Sequence, residues 1–286
     1  MQNVLVTGAN GQLGQCFQEL SVIYPTINFV FKNSKELNIT QSGDLSSLFN
    51  STTFDFCVNC AAYTAVDKAE EDSEHAEIVN VLGVKHLAEA CQKSKTTLIH
   101  VSTDFVFDGK AEKPYNETDK TNPLSVYGRT KLEGELKIQS ILNKYFIIRT
   151  SWLYSEYGAN FMKTMLKLGA ERDELNIVSD QIGSPTYAKD LAEVILNIIT
   201  NDVKDYGLYH YANEGVTSWY GFAKAIFDMS NTKVVVNEIS SSAYPTPAVR
   251  PKYSVLNKNK IKETLNITIP NWEISLQKAL SNMENN

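Results

Sequence analysis

The sequence predicts an α/β protein with a doubly wound parallel sheet and a smaller mixed α/β lobe towards the C-terminus. Three observations lead to this prediction. A short apolar run at the N-terminus passes directly into a glycine-rich turn. Apolar, β-rich runs then alternate with segments that are apolar at helical spacing, which is the pattern of parallel strands connected by helices. From about Asp202 the sequence changes to aromatic and proline-rich segments, and this change in composition indicates the second lobe.

The N-terminal segment NVLVTGANGQLG predicts a strand, a turn and the start of a helix. Its glycines, Gly8, Gly11 and Gly14, recur every three residues after the strand. This spacing allows a tight turn, a close approach of the backbone to a ligand, and close packing of the helix on the strand. Because amides at a helix N-terminus can hold a pyrophosphate, the segment predicts a dinucleotide site in a Rossmann-type fold.

The second predicted strand, INFVFK, ends where such folds usually carry an acidic residue for the ribose 2′-hydroxyl of NAD. Here the chain reads Lys32, Asn33, Ser34 and Lys35 instead. An uncharged asparagine flanked by lysines would repel a 2′-phosphate little, so the sequence favours NADPH slightly over NADH. Solvated surface lysines are an equally ordinary explanation of the same residues.

The alternation continues through the next two strands. FDFCVNCAA predicts a strand that ends in Ala61 and Ala62, which are small enough to let a cofactor lie close. SEHAEIVNVLGVKHLAEACQK predicts a helix with Asn80 in its interior. Such an asparagine usually faces solvent or bonds locally; a structural link to the active-site strand is the alternative. Strand LIHVS follows, and ligands are expected at the carboxyl ends of these strands.

A candidate proton donor follows that strand. Tyr127 and Lys131 are four residues apart, a spacing that places both side chains on one face of a helix. A nearby ammonium favours the phenolate and lowers the tyrosine pKa from its ordinary value near ~10. A hydroxyl at the strand end, from Ser102 or Thr103, could share a substrate oxygen with the tyrosine. The spacing alone also fits a surface helix turn, and the N-terminal glycines are what favour catalysis.

The remaining segments predict the division into domains. YFIIRTSWLY is another buried strand, GANFMKTMLKLGAE is helical, and LNIVSDQIGSPTYAKDLAEVILNII gives a strand, a turn and a helix. We expect residues 1–150 to form the dinucleotide-binding domain, with 175–200 returning to it. Residues 151–174 and 201–286 are expected to form the substrate-binding lobe. Since no low-complexity linker separates the two, they are expected to interleave.

Composition and charge exclude several classes of function. The chain is 43% hydrophobic and 21% charged, as in ordinary globular proteins, and its net charge of −6 argues against a nucleic-acid partner. Without a long apolar run or an export signal, we expect no membrane association and a cytoplasmic location.

The four cysteines predict no disulfide framework. Cys57 and Cys60 form a CxxC, but they end a buried strand, so we expect neither metal nor redox chemistry.

These motifs together resemble the extended short-chain dehydrogenase/reductase family, and within it the dTDP-4-dehydrorhamnose reductases. The strings that carry the resemblance are VTGANGQLG, NCAAYTAVDKAE, VSTDFVFDG, YGRTKLEGE, RTSWLY, DQIGSPT, GLYHYANEG and RPKYS. They cover most of the chain. The resemblance implies reduction of the C4 keto group of dTDP-4-dehydro-L-rhamnose by NADPH or NADH, a step of dTDP-rhamnose biosynthesis.

The resemblance also implies roles for individual residues. Thr103 would bind the substrate keto oxygen beside Tyr127 as proton donor, and Lys131 would bind the nicotinamide ribose and lower the tyrosine pKa. The other implied cofactor residues are Gly8, Asn10, Gly11, Gln12, Leu13, Asn38, Ile39, Ala61, Ala62 and Tyr63. The implied sugar-binding residues, besides Thr103 and Tyr127, are Val66, Asp104, Val106 and Trp152. Because Trp152 follows a buried strand, a purely structural aromatic is its alternative.

Two positions depart from the family pattern. Gln15 stands where some members have an acidic residue that helps to hold a metal at a dimer contact. A homodimer is compatible with the resemblance, but with glutamine here we expect no metal. Asn38 stands where aspartate is common, so the expected adenine contact is changed.

Rival functions share this pattern. A nucleotide-sugar 4,6-dehydratase carries an acidic pair after the threonine, whereas here Asp104 is followed by Phe105. An epimerase would hold NAD tightly and need no added reductant, and a different 4-keto-6-deoxysugar reductase would differ only in pocket shape. A non-catalytic regulatory subunit, such as the β subunit of methionine adenosyltransferase, also resembles this family. The intact set of Thr103, Tyr127 and Lys131 weighs against that last reading.

Overall fold

A computed structural model describes residues 1–284 of the chain. The strands are β1 (Gln2–Thr7), β2 (Ile27–Lys32), β3 (Phe56–Asn59), β4 (Thr97–Thr103), β5 (Tyr145–Thr150), β6 (Leu153–Tyr154), β7 (Glu174–Val178), β8 (Ile182–Gly183), β9 (Thr186–Tyr187), β10 (Gly207–His210), β11 (Thr217–Ser218) and β12 (Val235–Ile239). The helices are α1 (Gln12–Ser21), α2 (Ser42–Ser51), α3 (Ser73–Glu77), α4 (Val84–Ser94), α5 (Val126–Ile141), α6 (Phe161–Glu171), α7 (Ala188–Thr200), α8 (Trp219–Met229), α9 (Asn259–Leu265) and α10 (Trp272–Glu284).

The main sheet has the strand order β10-β5-β4-β3-β1-β2, and every pair in it is parallel. The order reverses between β1 and β3, because the chain first moves outward to β2 and then returns past β1. In doubly wound sheets, ligands bind beyond the carboxyl ends of the strands at such a reversal. The predicted Rossmann-type fold is confirmed, and its ligand crevice lies between the ends of β1 and β3.

Helices cover both faces of this sheet. On α1 the buried residues Leu13, Cys16, Phe17 and Leu20 recur at helical spacing and pack, together with α7, against one face. Helices α2, α4 and α5 cover the other face. Because β1, β3, β4 and β5 are buried between these layers, they are apolar along most of their length rather than alternating.

A second hydrophobic cluster forms a smaller lobe. It is built from α6, α8 and α10 around the parallel pair β7 and β12, with Phe222 and Leu276 fully buried at its centre. Short pairs of strands, β6 with β9 and β8 with β11, connect this lobe to the ends of the main sheet. The crevice at the strand ends is therefore bounded by both units.

The domain boundaries stay a prediction, and two strands lie on the other side of the predicted division. β10, within the range assigned to the substrate lobe, pairs with β5 as an edge strand of the main sheet. β7, which was expected to return to the dinucleotide domain, pairs with β12 in the smaller lobe. Both placements depend on pairing between distant strands, which local sequence pattern does not encode.

The predicted helix around Asn80 is interrupted by a π-helical turn, Ile78–Gly83, between α3 and α4. Across residues 1–284, none of the helices combines the length and the hydrophobicity that crossing a bilayer requires. Cys16, Cys57, Cys60 and Cys91 are free thiols.

Candidate functional site

The glycine turn lies at the reversal point of the main sheet. Gly8 has a φ of +65°, and a Cβ on it would stand 2.7 Å from the backbone nitrogen of Ala61, at the end of β3. A Cβ on Gly14 would stand 2.5 Å from the carbonyl oxygen of Gly8. Both positions therefore require glycine. Gly11 precedes α1 and has no side chain to cap it, so the turn and the helix N-terminus suit a pyrophosphate.

The other predicted cofactor residues surround this turn. Asn10 is exposed and Leu13 is buried against the sheet. Gln12 accepts hydrogen bonds through Oε1 from Ser155 Oγ at 3.1 Å and from Asn160 Nδ2 at 2.9 Å. The residue thus joins the glycine turn to the segment after β6, a link that sequence reasoning missed because the two segments are distant in the chain.

The predicted adenine and nicotinamide residues follow β2 and β3. Asn38 is exposed and accepts hydrogen bonds from the amide and the hydroxyl of Thr40, whereas Ile39 is buried. Ala61, Ala62 and Tyr63 are half-buried after the end of β3. The structure brings these residues to the same edge of the sheet as the glycine turn.

Asn80 secures the loop after β3. It is 1% exposed, accepts a hydrogen bond from the amide of Tyr63 at 2.9 Å, and donates to the carbonyl of Tyr63 and to Thr130 Oγ1. The solvent-facing interpretation is wrong and the structural one is correct, since Asn80 connects the predicted cofactor loop to α5. The link runs to the loop after β3, whereas the alternative predicted a link to the active-site strand, β4.

Helix α5 carries the candidate proton donor and begins with two caps. Ser125 Oγ accepts a hydrogen bond from the amide of Gly128 at 3.1 Å, and Glu70 Oε1 accepts one from the amide of Val126 at 2.8 Å. A Cβ on Gly128 would stand 2.2 Å from the carbonyl oxygen of Phe105. Glycine at this position lets the first turn of α5 lie directly against the loop that follows β4.

This close packing brings Tyr127 next to Thr103. The Thr103 hydroxyl faces the phenol and acts to lower its pKa. It donates to Asp104 Oδ1 at 3.1 Å and accepts from the amide of Phe105 at 3.2 Å. The ring of Phe105 meets the ring of Tyr127 edge-on, with centroids 5.6 Å apart. The predicted pairing of a strand-end hydroxyl with the tyrosine is thus present in the structure.

The pKa of Tyr127 is raised to about 12, chiefly by burial, with a further contribution from the negative charge of Asp104. This is opposite to the predicted lowering by an ammonium. The Lys131 Nζ instead lies against the carbonyl oxygen of Val101 at 2.8 Å and His100 Nε2 at 3.2 Å. A phenol with a raised pKa keeps its proton at neutral pH, which is the state that a proton donor needs.

Burial also shifts the two charged groups beside this pair. The pKa of the Asp104 carboxyl is raised to about 6 because burial disfavours its ionised form, against hydrogen bonds that lower it. The pKa of Lys131 is lowered to about 8 by burial, although the Glu135 carboxylate raises it. Perturbed groups gathered in one crevice are typical of a catalytic site.

A buried ion pair supports α5 from behind. Arg149 donates from Nε to Glu135 Oε1 at 3.0 Å and from Nη2 to Oε2 at 2.7 Å, and Ser102 Oγ donates to the same carboxylate. The side chains of Arg149 and Glu135 are 4% and 1% exposed. Because Glu135 is one turn beyond Lys131, this pair anchors the catalytic face of α5 to β4 and β5.

Trp152 occupies a strained and tightly enclosed position. Its φ is +48°, which is uncommon for a bulky residue. Its ring stacks on Trp219 with centroids 3.6 Å apart and planes 8° apart. A Cβ on Gly183 would stand 2.6 Å from the same indole ring. Trp152 is half-buried and packs against the hydrophobic cluster of the smaller lobe, so the structural role and the contact with a sugar both stay predictions.

The remaining predicted sugar residues differ in exposure. Val66 is half-buried in the loop after β3. Val106 is fully buried in a small cluster with Phe107, Tyr115 and Leu256. Sequence spacing does not distinguish such a packed valine from one that faces a ligand, because each kind can follow the end of a strand.

Sequence reasoning missed a second ion pair, that of Arg250 with Asp67. Arg250 donates from Nη1 and Nη2 to the two oxygens of Asp67 at 2.9 and 2.7 Å, and this pairing lowers the pKa of Asp67. The pair joins the loop after β3 to the proline-rich segment of the smaller lobe. The string RPKYS contains Arg250, but its partner could not be identified from sequence.

The metal prediction concerns Gln15, which donates from Nε2 to the carbonyl oxygen of Asn10 at 2.9 Å. Within residues 1–284, no three histidine, cysteine, aspartate or glutamate side chains are grouped so that they could hold a metal ion.

Comparisons with known proteins identify the family of the chain. The family model described as the RmlD substrate binding domain matches residues 1–285. A dTDP-4-dehydrorhamnose reductase of Aggregatibacter actinomycetemcomitans is 42% identical, and the match covers 99% of this chain and 98% of that protein. The crystal structure of a dTDP-4-dehydrorhamnose reductase from Clostridium acetobutylicum has a TM-score of 0.94 at 40% identity, covering 99% of this chain and 100% of the other. The Bacillus anthracis enzyme, crystallised with NADP, has a TM-score of 0.95 at 39% identity with the same coverage.

Proposed function

Because this chain belongs to the RmlD substrate binding domain family, we propose that it reduces the C4 keto group of dTDP-4-dehydro-L-rhamnose to dTDP-L-rhamnose. The observation that carries the proposal is the 42% identity to a dTDP-4-dehydrorhamnose reductase over nearly the whole of both chains. The proximity of Thr103 to Tyr127 at the end of β4 supports the proposal, because the reaction needs hydroxyls that face the keto oxygen. The protein is an oxidoreductase of dTDP-rhamnose biosynthesis.

The crevice fits a nicotinamide cofactor, NADPH or NADH. The glycine turn, whose backbone approaches β3 so closely that no Cβ fits at Gly8, would hold the pyrophosphate with Asn10, Gln12 and Leu13. Asn38 and Ile39 would flank the adenine, and the segment Ala61 to Tyr63 would line the nicotinamide half. When bound, the cofactor supplies a hydride to the sugar carbon. Lys32 and Lys35 near the end of β2, and the NADP complex of a relative, slightly favour NADPH.

The chain's own residues then supply the proton. Thr103 and Tyr127 present hydroxyls to the keto oxygen, and Tyr127 donates its proton as negative charge develops there. Positioned donors of this kind typically accelerate a reaction by ~10²–10⁴-fold. Lys131 would bind the ribose of the cofactor, and its ammonium form would stabilise the phenolate that Tyr127 becomes when it gives up its proton.

Asp104 makes the reaction sensitive to mild acid. Burial raises the pKa of its carboxyl to about 6, and the ionised carboxylate would accept a hydrogen bond from a sugar hydroxyl. We expect kcat/KM for the sugar to fall as the pH is lowered through about 6, since the protonated carboxyl loses acceptor capacity. In Asp104→Asn this acid limb should disappear and kcat/KM should be low throughout. Asp108→Asn is the control, because the pKa of Asp108 is lowered rather than raised. An unchanged acid limb in Asp104→Asn would contradict the assignment.

The position of Trp152 can be tested through Gly183. A methyl group at Gly183 would overlap the indole ring at 2.6 Å, and overpacking of this kind typically costs about 1–3 kcal/mol. We expect Gly183→Ala to raise the KM for the sugar by roughly tenfold while NADPH affinity stays near normal. Gly43→Ala is the matched control, because a Cβ there meets nothing within 4 Å. A normal sugar KM in Gly183→Ala would remove Trp152 from the sugar site.

The proposed function is tested by supplying dTDP-4-dehydro-L-rhamnose with NADPH or NADH and identifying the product by NMR. Cofactor oxidation that yields dTDP-L-rhamnose is the expected result. A product with the opposite configuration at C4 would indicate a different 4-keto-6-deoxysugar reductase. Interconversion of sugars without consumption of added reductant would indicate an epimerase. Cofactor binding without turnover of any 4-keto-sugar would indicate a regulatory binding role.

We further propose that the enzyme works in the cytoplasm on a free dTDP-sugar, without a nucleic-acid or membrane partner. Its net charge of −6 supports this, because polyanionic surfaces repel acidic proteins. The homodimer that the resemblance allows stays a proposal, to be measured by light scattering with and without chelator. A dimer that persists in chelator would agree with glutamine at position 15.

A further inference from the structure

A buried chain of hydrogen bonds leads from the end of β1 to Lys131. Thr7 Oγ1 contacts Asn59 Oδ1 at 2.6 Å, Asn59 Nδ2 contacts His100 Nδ1 at 2.9 Å, and His100 Nε2 contacts Lys131 Nζ at 3.2 Å. All four side chains are at most 2% exposed. Asn59 and His100 have no part in the reaction described above, although they connect its lysine to the cofactor-binding strands.

The orientation of the Asn59 amide is determined by a backbone donor. Its Oδ1 accepts a hydrogen bond from the amide of Ala61 at 3.2 Å as well as from the Thr7 hydroxyl. An amide N–H can only donate, so Oδ1 must be the acceptor, and Nδ2 must be the atom that faces His100. Asn59 therefore donates to the imidazole Nδ1.

This donor determines the tautomer of His100. Since Nδ1 accepts a hydrogen bond from Asn59, it carries no proton, and a neutral imidazole then carries its proton on Nε2. Burial and the neighbouring Lys131 lower the pKa of His100 well below its ordinary value, so the ring is neutral. The Nε2–H group consequently points at Lys131 Nζ.

A proton-bearing Nε2 suits a neutral amine better than an ammonium. A neutral Lys131 Nζ can accept from Nε2–H while it donates to the carbonyl oxygen of Val101 at 2.8 Å. An ammonium has no lone pair to accept this hydrogen bond, and its hydrogens would face the Nε2–H hydrogen of His100. The other titratable groups facing Lys131 are the Glu135 carboxylate and the Cys60 thiol, and both act in the opposite direction. The net lowering of the Lys131 pKa to about 8 shows that burial outweighs these two groups, and the hydrogen bond from Nε2–H favours the neutral amine in the same direction.

We propose that His100 is a positioning residue, held as the Nε2–H tautomer by Asn59, which docks Lys131 against the carbonyl of Val101 and favours its neutral form. The proposal rests on the proposed function only for the role of Lys131 at the cofactor ribose. The amine then takes up a proton when it leaves His100 for the cofactor. Affinity for NADPH should consequently fall as the pH rises through about 8, because above this value binding requires proton uptake.

Asn59→Asp tests the proposal with a nearly isosteric change. One carboxylate oxygen can keep the hydrogen bonds from Thr7 and Ala61, and the other can only accept, so His100 should change to the Nδ1–H tautomer. Its Nε2 then accepts from the Lys131 ammonium. We expect the midpoint of the fall in NADPH affinity to move upward by at least one pH unit, a tenfold change in proton affinity. Asn28→Asp, an exposed change at the opposite edge of the sheet, should leave the midpoint in place.

The tautomer itself is measured by ¹⁵N NMR of histidine-labelled protein, with the His100 signals assigned by their loss in His100→Gln. This readout needs no sugar substrate, so it distinguishes a failure of the proposal from a failure of the proposed function. In the unaltered protein we expect a neutral ring with its proton on Nε2 between pH about 6 and 9. A proton on Nδ1, or an imidazolium, would overturn the proposal even if Asn59→Asp does not fold. An unchanged tautomer and midpoint in folded Asn59→Asp would overturn it equally.

Discussion

Tyr127→Phe is expected to reduce turnover of the sugar by ~10²–10⁴-fold while leaving NADPH affinity largely unchanged. The substitution removes only the phenolic oxygen, and the phenyl ring keeps its edge contact with Phe105. The raised pKa of Tyr127, about 12, means that the missing group is a protonated donor at every pH near neutrality. The loss should therefore appear in kcat and should not be rescued by raising or lowering the pH.

The control for this prediction is Tyr145→Phe. Tyr145 is the first residue of β5 and lies at the end of that strand opposite the crevice, and burial raises its pKa as well. The same loss of an oxygen there should leave turnover near normal. Single-turnover kinetics with a saturating cofactor would compare the two variants. Near-normal turnover in Tyr127→Phe would show that another group donates the proton.

Glu135→Ala is expected to lower the free energy of unfolding by about 3–5 kcal/mol. The substitution leaves the Arg149 guanidinium, 4% exposed, without its counter-charge and removes the acceptor of Ser102 as well. Because the whole stability of a domain is about 5–15 kcal/mol, the variant should unfold at much lower denaturant concentration. The pKa of Lys131 should also fall further, since the Glu135 carboxylate raises it.

Glu133→Ala provides the comparison on the same helix. Glu133 pairs with Arg129 at 3.8 Å, and both side chains are more than two-fifths exposed. Exposed pairs of this kind contribute about 0.2–1 kcal/mol. Urea unfolding of the two variants measures the difference directly. Equal losses would mean that the buried pair does not anchor α5 to the sheet.

Much of the fold is predictable from local pattern. The glycine turn after β1 and the alternation of apolar strands with helices are set by residues close together in the chain. These features identify the Rossmann-type sheet and the end of it at which ligands bind. The pairing of Thr103 with Tyr127 also follows, because the strand end and the first turn of α5 both lie at that end.

The rest depends on contacts between distant residues. The stacking of Trp152 on Trp219 joins segments that are 67 positions apart in the sequence, and no local signal links them. The direction of the Tyr127 pKa shift was predicted wrongly because spacing shows that Lys131 is near, but not that its amine turns to Val101 and His100. Burial then becomes the dominant influence on the phenol, and burial is a property of the assembled structure.

The central claim is that a hydride from the nicotinamide ring and a proton from Tyr127 are added across the C4 keto group of the sugar. The most direct measurement uses NADPH deuterated at the transferable position of its nicotinamide, with the product examined by NMR. The claim predicts dTDP-L-rhamnose with deuterium at C4 of the sugar. Tyr127→Phe should form no such product in the time that the unaltered enzyme needs to complete the reaction. Product whose C4 hydrogen comes from the solvent, or deuterium that remains on the cofactor, would contradict it.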